Sequence, residues 1–238
     1  MSAVAAAAFA ASSTLAACND TKKTASKKPD PKSMAELQLG VTTKQRRVFV
    51  TGSIDDESAK VVIQQLLHLE AEDPSAPIGM HIMSGGGKVY AGLAILDVMR
   101  SLSSPVHTTC LGHCESMAAV LLACGEPGRR YALPNARVMI HQPVRGGSAS
   151  KSSAKEALIQ AQAIDQSRLR LCQLLAESTG RPLAELEALM DHGHYCSAAE
   201  AKELGLVDHV GSKGHFSPDP APEASEEPEG TEPAAAGS

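Results

Sequence analysis

Residues 111–125 read Leu-Gly-His-Cys-Glu-Ser-Met-Ala-Ala-Val-Leu-Leu-Ala-Cys-Gly, and after a polar turn residues 137–143 read Arg-Val-Met-Ile-His-Gln-Pro. The first segment sets Ser116 where a strand-like run, Val106 to Cys110, gives way through Gly112 to an apolar helical run, Met117 to Cys124. A hydroxyl at a helix N-terminus lies beside backbone N–H groups without intrahelical acceptors, and these can receive an oxyanion. The second segment is a short strand, Arg137 to Ile140, closed by His141, so its imidazole can face the same space as the serine. Serine and imidazole together are the minimum for nucleophilic acyl transfer. Taken singly, Ser116 reads as a helix cap and His141 as an ordinary strand-end histidine.

Toward the N-terminus the chain alternates between strand and helix signals. Arg47 to Val50 reads as a strand ended by Thr51-Gly52, and Asp55 or Asp56 caps a helix with Ala59, Val62, Ile63, Leu66 and Leu67 on one stripe. Asp73-Pro74 and Pro77 end that helix and lead into a strand from Ile78 to Met83. Ser84-Gly85-Gly86-Gly87 follows, then a helix from about Val89 to Leu102 with Leu93, Leu96 and Met99 on one side. This alternation predicts an α/β fold with helices covering a largely parallel sheet. The glycine run lacks both a Gly-Lys-Ser/Thr ending and a G-x-G-x-x-G pattern, which argues against a nucleotide site. It reads either as a tight turn or as a place where a substrate carbonyl approaches backbone N–H groups, with the Met117 N–H supplying the other half of an oxyanion hole.

Beyond His141, Arg145 to Ser148 reads as a turn, and a long helix is expected from Ser153 to Thr179. Its stripe is Ala154, Ala157, Leu158, Ala161, Ile164, Leu171, Cys172 and Leu175, which is either core or a protruding arm that a partner covers. Gly180 suits its C-terminal cap and Pro182 opens the next helix. Ser197 to Glu200 is a capping box for a last short helix ended by Gly205. Residues 213–238 are rich in Pro, Glu, Ala, Ser and Gly and read as a disordered acidic tail.

The 238 residues carry three Phe, three Tyr and no Trp, so the core must be aliphatic and packed on Ala and Gly. The net charge of −5 gives no electrostatic reason to expect nucleic acid. No apolar run is long enough to cross a bilayer, and six cysteines without disulfide-like spacing suit a reducing compartment. His107, Cys110, His113 and Cys114 form a dense group that in isolation suggests zinc. Strand alternation puts His107 and Cys110 on opposite faces, so no metal is expected. Residues 1–33 read as a transit peptide or a disordered leader, with Leu15 to Cys18 as a weaker lipoprotein-box reading.

The run from Arg47 to Pro143 resembles the proteolytic subunit of the Clp protease, the ClpP family. The likeness rests on Phe49 to Gly52, Leu69 to Glu72, Ser84 to Gly87 with Ala91-Gly92, and Gly112 with Ser116-Met117. Leu133-Pro134-Asn135, Arg137 to Pro143 and Gly205 to Asp208 complete it. The resemblance implies a ClpP/crotonase-like spiral of ββα units over residues 34–212, with Ser153 to Thr179 as a protruding handle helix. It implies a Ser-His-Asp serine endopeptidase in two stacked heptameric rings, a tetradecamer, fed with unfolded protein by a hexameric AAA+ unfoldase. The ATP is used by that partner, and this chain needs no cofactor of its own. By motif, Ser116 is the nucleophile and His141 the general base, while Gly86 and Met117 donate the oxyanion N–H groups.

Several positions depart from the family pattern. The triad Asp position, thirteen residues after Gly180 and four before Ser197, is Gly193. Asp191 is the possible substitute acid, reaching the ring only if its loop is repositioned. Glu115 replaces a small residue, Met83-Ser84-Gly85 replaces Asn-Ser-Pro, and Gly79 and His81 replace aromatics associated with unfoldase docking. Two expectations follow. One is a structural subunit with impaired catalysis, similar to the ClpR-type chains of plastids and cyanobacteria, sharing rings with sister subunits. The other is a fully active ClpP endopeptidase subunit. The chloroplast stroma is the expected compartment, with mitochondrial matrix or bacterial cytoplasm as alternatives. A crotonase-type acyl-CoA enzyme shares the backbone, but the Ser/His pair and the His-Gln-Pro segment argue against it.

Overall fold

A computed structural model describes residues 44–144 and 153–211. The expected leader at 1–33, the start of the expected domain at 34–43, the turn at Arg145 to Ser148 and the tail from 213 lie outside the described residues.

The first strand, β1 (Arg47–Thr51), turns Val48 and Val50 inward. Helix α1 (Asp56–Glu72) starts on Asp55, whose carboxylate accepts the Glu57 and Ser58 N–H groups, while the Ser58 hydroxyl accepts the Asp55 N–H. Its buried stripe is Ala59, Val62, Leu66 and Leu69. Leu67, expected on that stripe, is 49% exposed, because at 3.6 residues per turn it falls on the flank of the line those four define. Then come β2 (Ile78–Ser84), α2 (Val89–Ser101), β3 (Val106–Glu115) and α3 (Met117–Ala123). β1 and β3 both pair parallel to β2.

β3 continues five residues past the expected end at Cys110, through Gly112 to Glu115. Its outer edge is shared by two strands, which keeps it extended. β4 (Arg130–Ala132) pairs along Thr108 to Cys110, and β5 (Arg137–Ile140) pairs along His113 to Glu115, both parallel. On the other edge the register with β2 shifts between Ile82 and Ser84, a bulge that turns the last residues of β3.

The chain then forms α4 (Ala154–Thr179), α5 (Leu183–Asp191), β6 (His194–Ser197), α6 (Ala198–Glu203) and β7 (His209–Val210). β6 is antiparallel to β5, and β7 extends the sheet beside β4. The short strands β4, β6 and β7 carry too few residues for a periodic signal and were not expected. Capping boxes on Ser153 with Glu156 and on Ser197 with Glu200 start α4 and α6, and Gly180 ends α4 at φ 70°. In α4 only Leu171, Cys172, Leu174 and Leu175 are buried. Leu158 and Ile159 of its first half stand 60% and 54% exposed, so this end of the expected stripe is not core of this chain.

The core is aliphatic, as the composition requires, with Leu66, Ile78, Met80, Ile82, Ile95, Leu121 and Ile140 fully buried. Among the described residues no Phe or Tyr ring is buried. Small residues let the layers close: a Cβ at Gly92 on α2 would overlap the Met117 side chain of α3.

One buried ion pair ties the far end of the sheet together. Arg130, 6% exposed, donates Nε and Nη2 to the Asp208 carboxylate at 2.9 and 2.6 Å. Its Nη1 reaches the Ala123 and Ser178 carbonyls at the ends of α3 and α4. Burial by itself would raise the Asp208 carboxyl pKa, but the Arg130 side-chain and backbone hydrogen bonds and its charge outweigh that and hold it low. Stability from this group is therefore present above the unfolded carboxylate range and is lost as pH falls through the depressed value. Replacing Asp208 by Asn should cost about 3–5 kcal/mol by leaving the guanidinium uncompensated. Denaturant titrations across pH should also show a weaker acid-dependent loss in the variant than in the wild type.

Candidate active site

Ser116 sits between the last residue of β3 and the first of α3 with φ 56° and ψ −125°, in the left-handed half of the map where non-glycine residues cost about 1–3 kcal/mol. Two contacts hold it there. Its N–H donates to the Met139 carbonyl of β5 at 2.8 Å, and its own carbonyl accepts the N–H groups of Ala119 and Val120. All seven residues of α3 are buried, so the turn cannot relax by moving the helix. The Ser116 side chain makes no capping hydrogen bond. Its Oγ instead lies 2.9 Å from His141 Nε2. Ser116 is thus the N-cap residue by position, with its hydroxyl turned to His141 and not to the helix.

The same strand pairing delivers the imidazole. Glu115 stands opposite Met139 in the β3–β5 register, so His141 leaves β5 level with the turn that follows β3. On the other edge of β5, Ile140 pairs with His194, and one further antiparallel step sets His141 against Gly193. Gln142 fastens the returning chain, its N–H and side-chain amide donating to the Met190 and Asp191 carbonyls at 3.0 and 3.1 Å. A Cβ on Gly193 would touch His141 Cβ at 3.7 Å, an ordinary contact distance. Position 193 therefore lies beside the His141 side chain, and it carries hydrogen.

Asp191, the possible substitute acid, does not bond the ring in this geometry. Among the described residues no hydrogen bond or ion pair joins its carboxylate to His141, and it offers Gln142 only its carbonyl. Its charge is felt by Cys172 on α4, whose thiol pKa is raised first by burial, then by the Glu187 and Asp191 carboxylates against the opposing charge of Arg168. The Glu115 carboxylate faces the glycine turn, 4.0 Å from where a Gly85 Cβ would lie. Of His107, Cys110, His113 and Cys114, the two thiols lie together, but among the described residues no group of three His, Cys, Asp or Glu side chains could hold a metal ion.

The glycine turn lies directly on the nucleophile. A Cβ at Gly86, where φ is +84°, would come within 2.6 Å of the Glu115 carbonyl oxygen, 2.7 Å of Ser116 Cβ and 3.0 Å of Met117 N. Only glycine allows both that φ and that approach. Expected as an oxyanion donor, Gly86 is otherwise engaged: its N–H donates to Ser84 Oγ at 3.0 Å, and Ser84 Oγ donates to the Gly52 carbonyl at 2.6 Å. The bridge to Ile54 uses the Gly86 carbonyl and the Lys88 N–H, so the Gly87 N–H has no acceptor among the described residues. The Gly87 N–H is thus a second candidate donor beside that of Gly86. Met117 opens α3, and its N–H has no intrahelical acceptor. Sequence reading missed Ser84 and Gln142 as positioning residues, because both act through backbone groups that only folding brings near.

The family model described as Clp protease matches residues 32–214, which takes in every residue of this site. Replacing Gly86 by Ala should push the turn off the nucleophile and slow fluorophosphonate labelling of Ser116 by about tenfold or more, read by mass spectrometry of the labelled peptide.

Proposed function

The chain belongs to the Clp protease family, and from that premise we propose that it is a proteolytic-core subunit with impaired catalysis of its own and a mainly structural role in a mixed ring. One observation carries the reading: Ser116 and His141 are paired at 2.9 Å while Gly193 occupies the place behind the imidazole. In the reaction this pair is built for, His141 Nε2 takes the Ser116 proton as Oγ attacks a peptide carbonyl. The Gly87 and Met117 N–H groups receive the oxyanion, and the imidazolium returns its proton to the leaving amine. Without a carboxylate at Nδ1 the ring tautomer is not held and the imidazolium is not compensated. In serine proteases that loss costs on the order of 10⁴-fold in turnover.

In this reading α4 is the handle, and its exposed Leu158 and Ile159 meet sister ClpP- or ClpR-type subunits of the stacked heptameric rings. A hexameric AAA+ unfoldase supplies unfolded substrate and uses the ATP, and the compartment is the chloroplast stroma. A second reading, a fully active endopeptidase subunit, is favoured by the strained φ of Ser116. Such strain persists where it serves a site.

Replacing Gly193 by Asp should raise fluorophosphonate labelling and peptide hydrolysis by about 10²–10⁴-fold under the first reading. Brisk labelling of the wild type, with no gain from that change, would establish the second. In native mass spectrometry the chain alone should not form a homogeneous double ring of fourteen, and should enter one when sister subunits are added.

A further inference from the structure

We infer that the cavity behind His141 is a binding site for a small monocarboxylate ion, which stands where the side chain missing from Gly193 would be. The inference rests on the proposed hydrolytic role of the Ser116–His141 pair and adds a ligand to it. The cavity has a volume of about 310 Å³ and is lined by His141, His192, Gly193 and Tyr195, with Met139 and Met190 as apolar walls. Nε2 of His141 is taken by Ser116, and among the described residues nothing bonds the other ring nitrogen. That nitrogen, Nδ1, neighbours the ring carbon that bears Cβ, and Cβ is the atom Gly193 faces.

Three features select the ligand. One N–H donor at Nδ1 suits one carboxylate, and a charged imidazolium makes that hydrogen bond the stronger. The Gly193 main chain is held close to the ring, by β5–β6 pairing and by the Gln142 bonds to Met190 and Asp191, so the entering group must be small. Asp191 also lines the cavity, and its negative charge disfavours a multiply charged anion such as phosphate. Asp191, His192 and Tyr195 are exposed, which leaves the cavity open to solvent.

The test is a titration of the purified full-length chain with sodium formate, following fluorophosphonate labelling of Ser116. Labelling should rise saturably by about tenfold or more, a fraction of what the missing acid is worth. Sodium chloride at equal ionic strength, and neutral formamide, should have no such effect. Gly193→Asn places a neutral side chain that tolerates positive φ into the same space and should abolish the response. As a readout independent of activity, formate should move the NMR titration of the His141 ring in labelled protein to higher pH. A gain with Gly193→Asp but no response to formate in either readout overturns the carboxylate site and leaves the proposed function standing. A shift of the His141 titration with no gain in labelling from formate or from Gly193→Asp supports the site and overturns the proposed role of the missing acid. An equal response to chloride overturns the site.

Discussion

The hydrogen bond from the Ser116 N–H to the Met139 carbonyl joins the end of β3 to β5, and the geometry of the site depends on it. It fixes the serine in a backbone conformation that the residue would not adopt alone. It also sets the register that brings His141 within 2.9 Å of the hydroxyl. β5 can reach that position because β3 is long enough to carry two strands on one edge, β4 along its first half and β5 along its second.

Around this pairing the fold is closed by small residues and one ion pair rather than by aromatic bulk. Gly92 lets α2 approach α3 through the Met117 side chain, and Gly86 lets the loop after β2 lie on the nucleophile. Arg130 gathers the ends of β4, α3 and α4 onto Asp208. The Met117 N–H is thus positioned by packing on one side and by the glycine turn on the other. Interiors at crystal-like density transmit such constraints because neighbouring side chains have little room to absorb a displacement.

The same β5 strand that presents the imidazole also fixes the place of Gly193. Its antiparallel partner β6 begins just after Gly193, so the position behind the ring is set by backbone pairing. On the proposed reading the site is chemically asymmetric: attack and oxyanion binding remain built, and proton transfer loses its anchor. Membership of the Clp protease family gives a ClpP-type proteolytic subunit, and the proposed asymmetry concerns this chain's own catalysis alone.

Much of the fold was legible in local patterns. Apolar periodicity placed α1, α2, α3 and the long α4, β-branched runs placed β1, β2 and β5, and Ser153, Ser197 and Gly180 marked helix ends through chemistry confined to a few neighbouring residues. Ser116, His141 and the replacement at Gly193 were readable because spacing along the chain is a property of the sequence. The full length of β3, the strands β4, β6 and β7, and the exposure of Leu67 were not. Those depend on which distant segment supplies hydrogen bonds to an edge, and a short strand has no signal until its partner is present. The bond from the Ser84 hydroxyl to the Gly52 carbonyl, and that from the Ile54 N–H to the Gly86 carbonyl, likewise arise from loops that meet only in three dimensions. Side-chain identity and spacing travel with the chain, whereas hydrogen-bond partners across tens of residues exist only once the sheet has formed.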